Sequence, residues 1–254
     1  MTLACAALDL TAQGRILCRG LDLVVAPGEL WGVLGPNGSG KTTLMHTLAG
    51  VREPDAGAVL WSGRPLASYA SRARARHIGL LPQHEHAELW GTALDYVLLG
   101  RYPQAESAFA WRDADVREAR AALEEAGVAG LASREYGTLS GGERQRVRIA
   151  QLLAQEAQCM LLDEPLLHLD LHYQGRVLAL MKRLAKQGRA VMMVLHDALW
   201  AARACSHVLL LDGAGYASSG PTSELLTRGA LERLYGCPLR EFVDGTARYL
   251  VPEI

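Results

Sequence analysis

The sequence has no uninterrupted apolar run of the roughly 18 residues that a membrane-spanning helix needs, although 50% of its 254 residues are hydrophobic. Its first residues carry no basic segment of the kind found in a secretory signal. The cysteines are scattered and form no Cys-x-x-Cys pair, which argues against a zinc site and against a disulfide framework. Positive charge is not in surplus, since 26 Lys and Arg oppose 27 Asp and Glu, and this argues against nucleic acid as a partner. We therefore expect a soluble, cytoplasmic, globular protein.

Short apolar runs that end in polar or turn residues recur along the chain, at positions 30–34, 78–81, 159–162, 190–195 and 208–211. Continuous apolar runs of this length are typical of strands that are buried on both faces of a parallel sheet. Helical patterns lie between them, so the sequence predicts an α/β fold. In open α/β sheets, ligands bind beyond the carboxyl ends of the strands.

The residues after the first run form a phosphate-binding loop of the pattern Gly-x-x-x-x-Gly-Lys-Thr. An apolar strand precedes the loop and a helical pattern follows it, which makes the match specific. The loop directs N–H groups at an anion, and the following helix adds its positive end. Lys41 is expected to reach the β- and γ-phosphates, and the Thr42 hydroxyl to bind Mg²⁺. The residues predicted to bind the nucleotide here are Gly35, Pro36, Asn37, Gly38, Ser39, Gly40, Lys41, Thr42 and Thr43.

Three further strand ends supply candidate catalytic and metal-binding side chains. Asp163 follows an apolar run and suits a magnesium ion, and Glu164 beside it is suited to accept a proton from an attacking water. His196 ends another run, where it is placed to donate a hydrogen bond to a γ-phosphate or to position the water. Gln83 ends a third run, and its side-chain oxygen is suited to contact Mg²⁺ or the water. The predicted catalytic residues are Lys41, Gln83, Glu164 and His196, and the predicted magnesium ligands are Thr42, Gln83 and Asp163.

A second helix start also has the features of an anion site. Ser140 and Glu143 have the spacing of a capping box, which is a purely structural explanation of these residues. Gly141 and Gly142, however, expose N–H groups and the helix dipole at the same point. The chain carries one Lys-bearing loop, so a head-to-tail pair of chains accounts for both sites if each Ser140 faces the nucleotide bound by the partner.

Taken together, these motifs resemble those of the ATP-binding cassette (ABC) ATPases and occur in the order found in that family. The resemblance implies a P-loop NTPase fold with a RecA-like parallel-sheet core, an N-terminal antiparallel β region and a helical subdomain insertion. It implies ATP and Mg²⁺ as cofactors and a dimer of two copies that closes on two ATP molecules. It places Ser140 and Gly142, with Gly141 between them, against the γ-phosphate bound across the interface. It also makes Asp170 the residue that couples the two sites and Gln83 the link to a membrane partner.

The resemblance covers most of the chain, which we interpret as a single ABC ATPase domain over residues 1–254. Residues 1–86 and 156–230 are predicted to form the α/β core. Residues 87–155, rich in Ala, Arg and Glu, are predicted to form the helical subdomain that bears the signature motif. Residues 231–254 are predicted to form a short tail.

One stretch departs from the family, whose members usually stack adenine on an aromatic residue near the first strand. Residues 9–16 contain no aromatic side chain. Base stacking is worth about 1–3 kcal/mol in other nucleic-base sites. We therefore expect looser recognition of the base, with Arg15 or Ile16 as substitutes.

The chain has a single cassette and no membrane span, which is typical of the separate ATPase subunit of a prokaryotic importer. The segment Val97-x-x-Gly100-Arg101-x-Pro103 is similar to one in the ATPases of iron-chelate (siderophore, haem) and vitamin B12 importers, as is the tail around Tyr235. This predicts an integral membrane permease as partner, a periplasmic binding protein acting indirectly, and a location at the cytoplasmic face of the membrane. The segment, including Leu98, and Gln83 are expected to form the groove for the permease. Alternatively, Gly100 and Pro103 are only a helix stop. Export or lipid-transport ATPases and soluble assembly ATPases remain as rival functions.

Overall fold

The computed structural model describes residues 1–84, 91–105, 110–244 and 247–253. The strands are β1 (Leu3–Ala12), β2 (Arg15–Val25), β3 (Leu30–Leu34), β4 (Ala56–Trp61), β5 (Arg64–Pro65), β6 (Ile78–Leu81), β7 (Cys159–Leu162), β8 (Ala190–Val194), β9 (His207–Leu211), β10 (Ala217–Pro221), β11 (Leu239–Asp244) and β12 (Ala247–Pro252). The α-helices are α1 (Lys41–Leu48), α2 (Ser71–His77), α3 (Ala93–Leu98), α4 (Asp113–Glu125), α5 (Gly141–Ala154), α6 (Leu171–Lys186), α7 (Ala198–Ala204), α8 (Thr222–Leu225) and α9 (Arg228–Tyr235). Short 3₁₀ turns cover Leu66–Ser68, Leu99–Arg101, Ala129–Leu131 and Tyr136–Thr138.

The core is a six-stranded sheet with the order β10-β9-β3-β8-β7-β6. All neighbouring pairs are parallel except β9 and β10, which are antiparallel. Every residue of β3, β7 and β8 is buried. This explains why these strands are continuous apolar runs in the sequence, since helices or a second sheet cover both faces.

The two faces of the core sheet pack against different layers. Because side chains alternate along a strand, Val33 packs with α1 and the N-terminal sheet, whereas Leu34 packs with α5 and α6. The strands therefore hold the loops at their carboxyl ends between two well-packed layers. That edge carries the phosphate-binding loop after β3 and the residues that follow β6, β7 and β8.

The N-terminal sheet is antiparallel, with the order β2-β1-β4-β5. Its first hairpin turns at Gln13 and Gly14, whose φ angles of 51° and 75° are typical of a type I′ turn. This turn brings the start of β2 next to the phosphate-binding loop.

The helical segment with α3, α4 and α5 lies between β6 and β7. Helix α5 contacts α3, α4 and β6, so it joins this segment to the core. The predicted boundary between residues 86 and 87 lies outside the described residues, and the one between residues 155 and 156 follows α5 directly. In the tail, α9 is followed by the β11–β12 hairpin, which reaches α7.

Candidate active site

The phosphate-binding loop connects β3 to α1 and is tightly packed against its neighbours. Gly38 and Gly40 have φ angles of 78° and 98°, a region that side chains other than glycine rarely adopt. A Cβ atom on Gly40 would lie 2.9 Å from the side chain of Leu17 in β2. Helix α1 has no side-chain cap and no acidic residue in its first turn. Its first N–H groups are therefore free of competing carboxylates, as an anion-binding helix start requires.

Lys41 lies inside this loop. Its Nζ donates hydrogen bonds to the carbonyl oxygens of Gly35 (2.8 Å) and Pro36 (2.9 Å). Only 6% of the residue is exposed. Burial lowers the pKa of Lys41, while the charges of Glu164 and Asp163 act in the opposite direction. The loop thus curls round a cation, and a phosphate placed in it would offer that cation a charged partner in place of neutral carbonyls.

Asp163, directly after β7, is 1% exposed. By distance and angle, neither of its carboxylate oxygens accepts a well-formed hydrogen bond from the described residues, although the Thr42 hydroxyl lies close to them. Burial raises the pKa of Asp163, and the neighbouring Thr42 hydroxyl is the first of the groups that oppose this shift. A buried carboxylate without a partner is costly. The carboxylate beside a hydroxyl is a donor set that fits Mg²⁺, which prefers oxygen ligands and retains several waters.

Glu164 follows with a φ of 53°, a left-handed conformation that is uncommon for residues other than glycine and that clusters at functional sites. This conformation turns the side chain away from the path of β7. Its Oε1 lies 2.8 Å from Nε2 of His196, which follows β8. The carboxylate is 10% exposed and the imidazole 51%. One carboxylate oxygen is therefore engaged by the histidine, and Oε2 remains for a water.

These elements enclose a cavity of about 520 Å³. It is lined by Ala12, Gln13, Arg15, Leu17, Asn37, Gly38, Gly40, Lys41, Thr42, Thr43, Gln83, Glu164 and His196. The structure thus brings together residues predicted from four separate segments. Arg15 lines the cavity, whereas Ile16 is absent from its lining and lies beside Gly215. Ala12, Gln13 and Leu17 were missed, because small, amide and aliphatic side chains at a hairpin carry no motif.

With this geometry in view, a comparison with known proteins decides the family. The family model described as "ABC transporter" matches residues 18–167, which is more than half of the chain. The chain belongs to the ABC transporter family. The predicted ABC fold is confirmed, with its parallel-sheet core, N-terminal antiparallel sheet and helical insertion.

Relatives of this ABC protein are similar along almost its whole length. The chain is 41% identical over 240 residues to the Pseudomonas putida protein named "Hemin import ATP-binding protein HmuV", covering 89% of this chain and 92% of the relative. It is 37% identical to the Escherichia coli K12 protein named "Ferric enterobactin transport ATP-binding protein FepC", covering 87% of this chain and 82% of the relative. A solved structure titled "An inward-facing conformation of a putative metal-chelate type ABC transporter" matches with a TM-score of 0.86 and 29% identity. That match covers 100% of this chain and 98% of the other.

The ABC signature loop lies away from the cavity of its own chain, since residues 140–142 and Asp170 do not appear in its lining. Ser140 caps α5 in a capping box with Glu143, and its Oγ donates to Glu143 Oε2 over 2.8 Å. A Cβ on Gly142 would lie 3.1 Å from the carbonyl oxygen of His168, in the loop that leads to Asp170. Asp170 caps α6 by accepting a hydrogen bond from the Tyr173 N–H over 2.9 Å. The signature and D-loop residues are thus adjacent to each other on a separate surface.

In the segment 97–103, which we expected to bind the permease, Leu98 and Arg101 are buried instead of facing a partner. Leu98 is only 4% exposed, so our expectation that it lines a groove was wrong, because its side chain packs in the core with α4 and α5. Arg101 is also buried, and its Nε and Nη1 pair with Asp115 and Glu156 over 3.3 Å and 2.5 Å. The outward residues are Leu99 and Tyr102, which are 40% and 55% exposed.

Two arginines of α2 support this segment. Arg72 and Arg76 each donate through Nε to the carbonyl oxygen of Pro103, over 3.2 Å and 2.7 Å. Among the described residues, no helix combines the length and the apolar character that a bilayer span requires.

Proposed function

We propose that this chain is the ATP-hydrolysing subunit of a prokaryotic ABC importer that takes up an iron chelate, either haem or a ferric siderophore, through a separate permease. The observation that carries the proposal is the convergence of Lys41, Asp163, Glu164 and His196 at one edge of the sheet, in a chain with full-length relatives named for haem and ferric-enterobactin transport. These relatives favour haem and siderophores over cobalamin as cargo.

Hydrolysis proceeds by in-line attack of water on the γ-phosphorus of ATP. Residues 35–43 bind the triphosphate through the N–H groups of the loop and the start of α1. Lys41 offsets the negative charge that develops on the β- and γ-phosphates. Thr42, Asp163 and Gln83 would hold Mg²⁺, whose chemistry is to neutralise phosphate charge.

Glu164 acts as the group that orients the attacking water and accepts its proton. His196 holds the carboxylate through the 2.8 Å contact. Its half-exposed ring also faces the place where a γ-phosphate would lie. The left-handed backbone at Glu164 aims the carboxylate into the cavity, where a water must be positioned.

The working unit is a head-to-tail dimer in which each cavity is completed by the partner's signature loop. Two facts support this: residues 140–142 do not line the cavity of their own chain, and two glycines follow the capping residue Ser140 at a helix start. Ser140, Gly141 and Gly142 then meet the γ-phosphate of the partner's ATP, and Asp170 lies between the two sites. The permease binds the face around Leu99, Tyr102 and Gln83. It holds the chain at the cytoplasmic face of the membrane, and a periplasmic binding protein delivers the cargo to it.

The decisive test is Glu164→Gln. We expect ATP to bind as in the wild type while turnover falls on the order of a hundredfold or more, and we expect ATP to trap a dimer visible by size-exclusion chromatography. Glu125→Gln is the matched control, since Glu125 pairs with Arg183 on the surface. Wild-type turnover in Glu164→Gln would remove the proposed catalytic role.

Partner and cargo are tested by co-expressing this chain with a candidate permease of the iron-chelate class. Leu99→Glu and Tyr102→Glu should abolish co-purification with the permease while leaving basal ATP hydrolysis intact. Val24→Glu, at an exposed position of β2, is the control and should leave co-purification unchanged. In vesicles, ATP should drive uptake of haem or a ferric siderophore. Uptake of cobalamin, export of lipid, or co-purification with a soluble scaffold instead of a permease would each assign a rival function.

A further inference from the structure

Two polar side chains of α5 are buried behind the cavity. Gln145 and Arg148 are 4% and 7% exposed. They are three residues apart, so they lie on the same face of the helix. Arg148 Nη1 donates a hydrogen bond of 2.8 Å to Gln145 Oε1, which links the two side chains into one unit.

The remaining hydrogen bonds of this pair go to the backbone of two loops. Gln145 Nε2 donates to the carbonyl oxygens of Pro165 (3.1 Å) and Glu164 (3.4 Å). Arg148 donates to the carbonyl oxygens of Pro82, through Nη2, and Gln83, through Nη1. One loop leaves β6 and the other leaves the neighbouring strand β7. Helix α5 therefore holds, from behind, the two backbone segments that carry Gln83 and Glu164 into the cavity.

Stability alone is a poor explanation of this arrangement. Arg148 forms no ion pair within the described ranges, and its Nε is buried without a hydrogen-bond partner. A buried charge that is held only by neutral groups pays a desolvation cost. An apolar side chain of similar size would pack α5 against the sheet at least as well. The guanidinium instead fixes the orientation of the loop carbonyl groups, since its planar donors hold them in a defined geometry.

The orientation of these carbonyl groups matters most at Glu164. Its left-handed backbone is not stabilised by its own residue type, so the surrounding contacts must hold it. The Gln145 amide contacts the carbonyl groups of both Glu164 and Pro165, which fixes the peptide planes on the carboxyl side of Glu164. The direction of the Glu164 side chain follows from these planes.

We propose that Gln145 and Arg148 are positioning residues for ATP hydrolysis: through the carbonyl groups of residues 82–83 and 164–165, they set the relative placement of Gln83 and Glu164 across the cavity. Neither side chain lines the cavity, and the hydrogen bonds of both go to each other and to loop carbonyl groups. Their helix begins at Ser140, so the placement of both cavity residues follows the position of the signature helix. This inference rests on the proposed ATPase function and adds residues that no motif contains.

The test compares turnover with ATP binding in Arg148→Met, Arg148→Lys and Gln145→Glu. We expect kcat to fall on the order of tenfold to a hundredfold in Arg148→Met, since small misplacements of reacting groups have effects of this size. KM for ATP should change by less than about threefold, because the contacts to the nucleotide remain. Arg148→Lys should recover part of kcat, since its ammonium can still reach a carbonyl group.

Gln145→Glu separates positioning from folding. The new carboxylate still accepts from Arg148, now as an ion pair, so the fold is retained. It no longer donates to residues 164 and 165, and kcat should fall as in Arg148→Met. Gln155→Met is the matched control. Gln155 Nε2 donates to the carbonyl oxygens of Ala75 (2.6 Å) and Ile78 (3.2 Å), at the other end of β6 from the cavity. We expect it to lower thermal stability and leave kcat unchanged.

A kcat within about twofold of the wild type in both Arg148→Met and Gln145→Glu, or an equal loss of kcat in folded Gln155→Met, overturns the proposal. If Arg148→Met does not fold, the kcat values of Gln145→Glu and Arg148→Lys test the proposal in its place. Failure of the proposed ATPase function is distinct, because the wild type would then show no turnover.

Discussion

Asp163 and Asp115 are both 1% exposed, but their surroundings are opposite. Asp163 has the Thr42 hydroxyl beside it but accepts no well-formed hydrogen bond in the described part of the chain, and burial raises its pKa. Asp115 accepts from Arg112 and Arg101, and these contacts, with that of Arg112 the largest, lower its pKa to about 2. The first carboxylate lies beside Thr42 and Glu164, which line the cavity that we assign to nucleotide, and the second ties α4 to the 3₁₀ turn after α3. Burial alone therefore does not identify a functional carboxylate; what identifies it is hydrogen-bonding capacity that the protein itself leaves unused.

The largest effect is expected from Asp163→Asn. ATP hydrolysis should fall on the order of a hundredfold or more, since the neutral amide is a poor ligand for Mg²⁺. Without nucleotide, the variant should be at least as stable as the wild type, because it removes a buried charge without a partner. Phosphate release and thermal unfolding measure the two effects.

Asp163→Asn should also change how the stability of the fold depends on pH. The pKa of Asp163 is higher in the folded state than its ordinary value of 3.8, so the wild type loses stability as the pH rises past 3.8 and the carboxyl must ionise in the fold. The advantage of Asp163→Asn should therefore appear above that pH and vanish below it. A lower melting temperature for the variant at neutral pH would contradict the contrast with Asp115.

Asp115→Asn should lower stability and leave ATP hydrolysis unchanged, which is the reverse of what we expect for Asp163→Asn. Removing one partner of a buried ion pair costs about 3 kcal/mol, which corresponds to a fall in melting temperature of roughly 6–12 °C. Because the folded pKa is lowered to about 2, the wild type keeps this stabilisation above the ordinary value of 3.8 and loses it as the pH falls from there to about 2. The two proteins should converge in acid. Basal ATP hydrolysis at 25 °C should be unchanged, and a loss of kcat in folded protein would erase the distinction between the two carboxylates.

Gly100→Ala tests whether the cluster around Arg101 depends on close packing. A Cβ at Gly100 would collide with the carbonyl oxygen of Gln151 in α5. We expect a loss of roughly 2 kcal/mol of stability from overpacking, again without loss of turnover. Gly130→Ala is the control, because a Cβ there meets nothing within 4 Å. Equal melting temperatures for the two variants would show that the turn after α3 can shift at little cost.

The smallest effect on function is expected from Arg15→Ala, which removes an exposed charged side chain from the cavity. Arg15 lines the cavity and belongs to the stretch 9–16, which has no aromatic side chain. A guanidinium stacked on a base does not read the base edges, so we expect the variant to weaken ATP and GTP equally, by about threefold. The wild type should prefer ATP over GTP by less than about tenfold. Nucleotide competition measures both values, and a strong ATP preference would contradict the expectation of loose base recognition.

The fold class and the nine-residue phosphate loop were predictable because their causes are local. The apolar runs give the strands, and the spacing of Gly35, Gly40 and Lys41 gives the loop within a few residues. The placement of Gln83, Glu164 and His196 at one cavity also followed, since parallel strands end at the same edge of the sheet.

The roles of Leu98, Arg101 and Arg148 were not predictable in the same way. Arg148 meets Pro82 across 66 positions of sequence, and Arg101 meets Ala154 across 53. A charged residue on an amphipathic helix gives no sign of whether it faces water or distant carbonyl groups. Leu98 belongs to a motif similar to that of iron-chelate importers, but its side chain is part of the core.

Consecutive residues thus suffice for the chemistry of the phosphate loop, because backbone conformation and helix polarity depend on near neighbours. Which buried charges are paired, and which are left to a ligand, is decided only in the folded chain, where the side chains around each carboxylate come together. Asp115 and Asp163 differ for this reason. The energy of a buried carboxylate depends on the donors around it: Asp115 has arginines three and fourteen residues away in the sequence, whereas Asp163 accepts no well-formed hydrogen bond from the described residues.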